Sequence, residues 1–501
     1  MDRPSRKLAW LCFVTLLARP IAAPFPQAQS VSPTIQATIE ALRAHDYGRA
    51  LEMTQALVRE QPNNVRVWTL QGAALSGLGR GEESLRSYQR ALDIQPDYLP
   101  ALEGAAQREY AAASPTAEDL LDRIIRIDPK NETAHAMLAS LSFKQKQCDK
   151  AAAHFALAPH AISSRPVALA EYGICLVHTR QLGEAAPVFQ RLLELEPKDW
   201  HNRYNLGLVQ YMTGHYAAAI ATLKPLAEGP AAEVDALNLI ADAYEANRET
   251  PAAAAALRRA IDIAPHDVRN YLDFATLCMD HASFQAGVDI VTAGLRVAPD
   301  SPELYSERAV LYAQLKKYDE AEADFETANQ LRPQQAFATV GLGITLLEKN
   351  DTERSLEVIR ARLKESPDEP TLNFLLAEVI ARRGAAPDTS EFKEAEAAAQ
   401  RAVKANATFA PAHDVLSRLY LRAGDLTRSV EESRLALKFD LTDRTAMYHL
   451  ISALRASGSK SEVASLTARL RDMASADTRN EAEKNRFRIV ETEQAASVPS
   501  R

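Results

Sequence analysis

The stretch PELYSERAVLYAQLKKYDEAEADFETANQLRP, running from Pro302 to Pro333, decides the fold. Within it Tyr305, Ala309, Tyr312, Ala321, Phe325 and Ala328 fall at intervals of 4, 3, 9, 4 and 3. Spacings of three and four place side chains on one helical face, and the jump of nine interrupts that face. The stretch therefore reads as two helices with a turn between them. Pro333 ends the second helix, because proline has no N–H to donate and restricts the residue before it. The same punctuation runs down the chain. Prolines stand at Pro62, Pro96, Pro129, Pro197, Pro230, Pro265, Pro299, Pro333 and Pro367, about 34 residues apart, with one double interval from Pro129 to Pro197. A period of that size marks an array of repeated units rather than one globular core.

Composition agrees with an array. The chain has 501 residues, more than a usual single domain, and a solenoid reaches that length by adding units. Apolar residues make up 47% but aromatics only 6%, so alanine carries much of the packing, as close contacts between short helices require. The net charge of −8 comes from 58 basic and 66 acidic residues without long blocks of one sign. That balance favours solubility and gives no signal for nucleic acid or an anionic membrane.

The beginning of the chain differs from the rest. Arg3, Arg6 and Lys7 precede an apolar run from Leu8 to Ala18, which Arg19 and Pro20 break. A basic start and a run this short read as a secretory signal peptide over residues 1–30, too short to span a membrane. Ala28-Gln29-Ser30 offers a cleavage site, with Ala22 and Ala23 as competitors. After cleavage Cys148, Cys175 and Cys278 remain, an odd number without the close spacing of a disulfide framework. Whether Cys148 and Cys175 are bridged stays open at this point.

Thirteen units can be laid along the chain. The second carries Trp68, Gly72, Tyr88, Ala91 and Pro96; the sixth carries Leu206, Gly207, Tyr216, Ala219 and Pro230; the eleventh holds an insertion from Arg383 to Ser390. Small residues such as Gly72, Gly173, Gly207 and Gly343 mark where helices touch, with Ala219, Ala253 and Ala321 facing them. Tyr88, Phe155, Phe189 and Phe325 fill the space to the next hairpin. Gly79, Gly214 and Gly424 separate first from second helices.

This pattern resembles the tetratricopeptide repeat (TPR) family. The resemblance implies an all-α, right-handed superhelical solenoid of about 12–13 TPR-like helix hairpins over residues 31–475. Residues 476–501 would then supply a capping helix and a disordered tail. It also implies a concave groove lined by the first helix of each hairpin, where partner segments dock. Carried over by position, that groove includes Phe143, Ile174, Val177, His178, His201, Tyr204, Asn205, Leu208, Tyr211, Asn238 and Asp242, with Glu245, Arg269 and Asp273 beyond. Asn205-Leu206-Gly207 matches the family's Asn-Leu-Gly stretch, whose asparagine binds a ligand's backbone. The lysine-rich clamp that some members close on a C-terminal carboxylate is not matched.

Catalytic signatures are missing from the sequence. There is no Walker loop, HExxH box, GxSxG elbow or CxxC pair, and Gly77-Leu78-Gly79-Arg80-Gly81 lacks the strand and spacing of a phosphate loop. The eleven histidines are scattered and read as structural or solvated. Asn131-Glu132-Thr133 and Asn406-Ala407-Thr408 match glycosylation sequons. The expectation is a non-enzymatic scaffold without metal or cofactor, exported to the periplasm or beyond, which binds other proteins or peptide segments. The alternatives are an envelope assembly or polysaccharide-secretion factor with one dedicated partner, and a carbohydrate-binding module built on the aromatic strip.

Overall fold

The computed structural model describes residues 33–229, 232–459 and 462–473, and among them every regular element is helical. The expected signal peptide, Pro230 and the segment 476–501 lie outside the described residues. The chain divides into two compact units, one reaching Thr222 and the other starting at Leu223. In the first unit α1 (Pro33–Arg43) pairs with α2 (Tyr47–Glu60), α3 (Val65–Gly77) with α4 (Gly81–Ile94), and α5 (Leu99–Ala111) with α6 (Thr116–Ile127). Next, α7 (Glu132–Lys144) pairs with α8 (Cys148–Ala156), followed by the single turn α9 (Pro159–Ile162), and α10 (Pro166–His178) pairs with α11 (Leu182–Leu195). Then α12 (Trp200–Met212) leads into α13 (Tyr216–Ala227), which runs past the boundary.

In the second unit α14 (Val234–Ala246) pairs with α15 (Thr250–Ile263), α16 (Val268–Asp280) with α17 (Phe284–Val297), and α18 (Pro302–Gln314) with α19 (Tyr318–Leu331). They are followed by α20 (Ala336–Glu348) with α21 (Thr352–Glu365), α22 (Pro370–Arg383) with α23 (Ser390–Ala405), and α24 (Ala410–Ala423) with α25 (Leu426–Phe439). Finally, α26 (Arg444–Ala456) is followed by a helix over residues 462–473. The described residues thus form thirteen hairpins, as the spacing predicts.

The turn inside each hairpin has one recipe. Each contains a single residue with left-handed backbone: His45, Gly79, Ala113, Lys146, Arg180, Gly214, Arg248, Ala282, Lys316, Asn350, Gly384, Gly424 and Gly458. Their numbers advance by 33 or 34, except for a step of 40 from Gly384 to Gly424 across the insertion. A left-handed residue lets the first helix end and the chain reverse, and it costs about 1 kcal/mol or more where a Cβ is present. Only five of these thirteen positions are glycine, so the chain accepts that cost repeatedly.

Packing between hairpins rests on aromatic wedges. Tyr88 of α4 is buried, and a Cβ added at Gly72 of α3 would lie 2.7 Å from its ring; Gly104 of α5, in the next hairpin, is closer still. Phe189 of α11 sits against Gly173 of α10 in the same way, at 2.7 Å. The glycines that cost helix stability are therefore the seats of the wedges. Ala219, Ala253 and Ala321 are buried opposite, as the sequence suggests. The core is a row of clusters, such as Leu102, Leu121 and Leu138 around Tyr88, and Leu176, Leu192 and Leu206 around Phe189. Each is shared by neighbouring hairpins.

Polar side chains close the turns between hairpins. The fourth residue of a first helix repeatedly bonds the carbonyl six residues earlier: Trp68 Nε1 to Pro62 (2.8 Å), His135 Nε2 to Pro129 (3.1 Å), Tyr271 Oη to Pro265 (2.9 Å), and Asn373 Nδ2 to Pro367 (2.7 Å). Arginines of second helices reach back to an earlier inter-hairpin turn, Arg123 to the Pro96 carbonyl at 2.5 Å and Arg362 to that of Gln334 at 2.6 Å. Carbonyls left over at helix C-termini are thereby satisfied.

The fourth hairpin is the irregular one. Its second helix, α8, has nine residues where most others have fourteen, and Pro159 starts a separate turn. Cys148, the first residue of α8, is joined by a disulfide to buried Cys175 of α10, with Cα atoms 4.8 Å apart and a sequence separation of 27. This answers the question the sequence left open. Cys278 is free and buried, and burial pushes its thiol up to about 12.

Two outcomes test this account. Ala113 is exposed and left-handed, so Ala113→Gly should raise the urea midpoint by about 1 kcal/mol of stability; a lower midpoint would contradict the strain assigned to that turn. Closing a loop of 27 residues should contribute about 3.5 kcal/mol in the chain-entropy description, so Cys148→Ser should lower the melting temperature clearly, and by as much as reduction of the parent protein.

Candidate interaction site

A first helix has one side committed to the core and one side left open. On α10 the committed side carries Leu169, Gly173, Cys175 and Leu176, all buried. The open side carries Val167, Ile174 and His178, at i, i+7 and i+11, with Val167 71% and Ile174 46% exposed. Val177 is half-buried and packs against the cluster around Phe189, as does Phe143 of α7, so both serve packing as well as the open side. The open sides of α7 and α10 are joined by Ser140, whose hydroxyl donates to Glu171 at 2.6 Å. Burial pushes the Glu171 carboxyl up, and this hydrogen bond opposes it.

On α12 the buried side is Asn202, Leu206, Gly207 and Val209. His201 is exposed and stacks on Trp200, ring centres 3.8 Å apart, and Tyr204 meets Trp200 edge-on at 6.2 Å. Tyr211 leans on Tyr216 at 5.8 Å. Tyr204, Asn205, Leu208 and Tyr211 are each half-buried. The Asn205 amide makes no hydrogen bond among the described residues. In the first unit, then, none of the residues carried over to the groove is fully buried.

Asn238 and Asp242 belong to the second unit, on α14. The Asn238 amide donates to Asn270 Oδ1 at 3.0 Å, and Asn270 is itself held by the Ala260 and Ala264 carbonyls at 3.2 Å. Asn238 thus links two first helices. Asp242 keeps one side open to solvent, while protein surrounds the rest. That burial first, and the Asp273 carboxylate second, push its carboxyl up to about 6. Asp273 is pushed up too, chiefly by burial.

Among the described residues no group of three or more histidine, cysteine, aspartate or glutamate side chains is arranged to hold a metal ion. Histidines instead form close two-membered contacts, for example His135 Nδ1 with His154 Nδ1 at 3.0 Å and His160 Nδ1 with Glu132 at 2.8 Å. Also among the described residues, no helix is long and apolar enough to cross a membrane.

Two models, each described as a tetratricopeptide repeat, match the chain, one at residues 38–98, 176–233 and 204–268 and the other at 302–335. The chain carries tetratricopeptide repeats. A peroxisomal targeting signal receptor from Candida glabrata is 35% identical over 74 residues, which is 14% of this chain and 12% of that protein. A CTR9 homolog from Arabidopsis thaliana is 24% identical over 323 residues, 62% of this chain and 26% of that protein. The matches span at most 26% of the length of these curated relatives. Among solved structures, yeast Tom70 aligns with 91% of this chain and 96% of its own at 16% identity, with a TM-score of 0.42.

The repeat frame also exposes what position-by-position transfer passes over. Val167 opens the exposed row on α10, Trp200 is the platform under His201, and Phe337 and Ile344 lie open on α20. The available signal was an apolar residue at i and i+7 on the side of a first helix that faces away from its glycine or alanine seat.

Asp242 yields a pH test. Its carboxyl binds a proton more tightly in the folded chain than in the unfolded one, so the charged form is a penalty that grows as pH rises from about 4 to about 6 and then stays constant. Asp242→Asn should therefore stabilise the protein at pH 7.5 and give no gain at pH 3.5, as read by thermal melts at both values.

Proposed function

We propose that this chain is an exported, non-enzymatic scaffold for protein–protein interaction, which holds partner segments on the open sides of its first helices. The observation that carries this reading is the row on α10 and α12. Val167 and Ile174 stand exposed, and Tyr204, Asn205, Leu208 and Tyr211 lie half-buried with an uncommitted amide among them. A soluble protein keeps such apolar and aromatic surface open where something binds it. An amide in such a row can pair with the backbone of an extended segment, while the rings take its side chains. Shape and side-chain complementarity would do the work, without covalent chemistry.

Export is supported by two independent features. Residues 3–18 have the basic start and apolar run of a secretory signal. The Cys148–Cys175 disulfide belongs in an oxidising compartment, since cytosolic reductants keep such pairs open. Periplasm or secreted space meets both conditions.

Crosslinking in cells followed by mass spectrometry tests the scaffold. The parent protein would be compared with a Tyr204→Ala, Asn205→Ala, Tyr211→Ala variant whose helical content is unchanged by circular dichroism. The expected outcome is at least one protein partner captured by the parent and lost in the variant. The same partners from both would remove this face from the mechanism, and the absence of any protein partner would shift weight to carbohydrate binding.

A further inference from the structure

The second unit carries another open face, and its chemistry is distinct. On α20 Phe337 and Ile344 stand seven residues apart on the open side, flanked by half-buried Val340 and Leu347, which pack against the core around Leu375 and Leu376. Phe337 is 59% exposed and Ile344 44%. Glu348 closes the row one turn beyond Ile344. It lies 3.3 Å from Arg382 of α22, whose Nε donates to Glu378 at 2.6 Å, and Glu378 also pairs with Arg418 of α24. These ion pairs show that the outward sides of α20, α22 and α24 form one continuous surface. They also leave its charges matched.

Toward α18, α16 and α14 the balance changes. Glu307 and Asp273, the sixth residues of α18 and α16, and Asp242, the ninth of α14, lie on the open sides there, and none has an ion pair among the described residues. The one basic residue on these outward sides, Arg269, is bound to Asp267 at 2.6 Å and attracts Asp273 only from beyond ion-pair distance. All three carboxyls are pushed above their usual range, with burial the leading cause. Elsewhere on first helices of this unit, Glu348, Glu378 and Asp414 each have an arginine or histidine partner. An apolar row beside unmatched negative charge is incomplete by itself, and a complement would carry apolar side chains followed by cations.

We propose that the outward face running from α14 to α22 receives a protein segment in which apolar side chains, seated on Phe337 and Ile344, are followed by lysines or arginines opposite Glu307, Asp273 and Asp242. This rests on the reading that first-helix faces bind protein segments, and it adds the location in the second unit and the sign of the partner. Neighbouring helices lie about 8–10 Å apart, and an extended chain advances about 3.3 Å per residue. The cationic residues therefore belong within roughly three to nine residues of the apolar anchors.

The test uses the full-length protein and a fluorescein-labelled peptide of about twelve residues, with two phenylalanines near one end and lysines toward the other. Its twin replaces the lysines with glutamates. Anisotropy should show saturable binding of the lysine peptide and none of the twin. Phe337→Ala/Ile344→Ala and Asp273→Asn/Glu307→Gln should each weaken binding roughly tenfold or more, and the second pair should also flatten the salt dependence. Undiminished binding by both variants, equal binding of the two peptides, or no saturable binding would overturn the proposal. Loss of binding only in the Tyr204→Ala, Asn205→Ala, Tyr211→Ala variant would also overturn it, while leaving the scaffold reading intact.

Discussion

A hairpin of two short helices cannot cover its own apolar side, and the aromatic wedge is how this chain meets that constraint. Tyr88 belongs to α4 but touches glycines both in its own hairpin and in the next. One side chain therefore fixes the distance between two helices and between two hairpins. Glycine in mid-helix lowers helix propensity by about 1 kcal/mol, so each seat is a local cost that the shared ring offsets by burial. The same arrangement explains why the core is a row of clusters. Second helices also send arginines back to carbonyls of an earlier turn, which ties successive hairpins together.

Because packing consumes one side of each first helix, the other side is free to vary. On α10 and α12 it is apolar and aromatic; on α14 to α18 it is acidic; on α20 it is apolar again; and on α22 and α24 it is charged but internally paired. The scaffold thus separates what must be constant from what can be specific. In the proposed reading, recognition would use positions that contribute little to stability.

Much of the fold was legible because its signals are periodic. The proline spacing gives the length of the repeat, and the intervals of three and four give the faces of its helices. Turn glycines at 79, 214 and 424 were visible, but the equivalent left-handed residues His45, Arg180 and Lys316 were not, because their identity carries no such mark and only their distance from the glycines does. The site was legible as positions and not as partners. Tyr204 and Asn205 could be set on an open side by counting. That Asn238 would be engaged by Asn270, or Cys148 by Cys175, depends on how hairpins stack, and the short α8 and the break at Pro159 alter that stacking locally. The ion pairs Glu348–Arg382 and Glu378–Arg418 were hidden for the same reason, since their partners stand 34 and 40 residues apart.

The step of 40 between Gly384 and Gly424 has an evolutionary meaning. Six additional residues entered the chain, yet the next left-handed turn again stands 34 residues further on, at Gly458. Four of the six lengthen the link between Gly384 and the first residue of α23, and two lengthen α23 itself, which has 16 residues. The array thus behaves like a sentence that admits a parenthesis: length is gained within one clause and the grammar of those after it is unchanged. New loops, and with them new contacts, can be acquired one hairpin at a time without renegotiating the rest of the molecule.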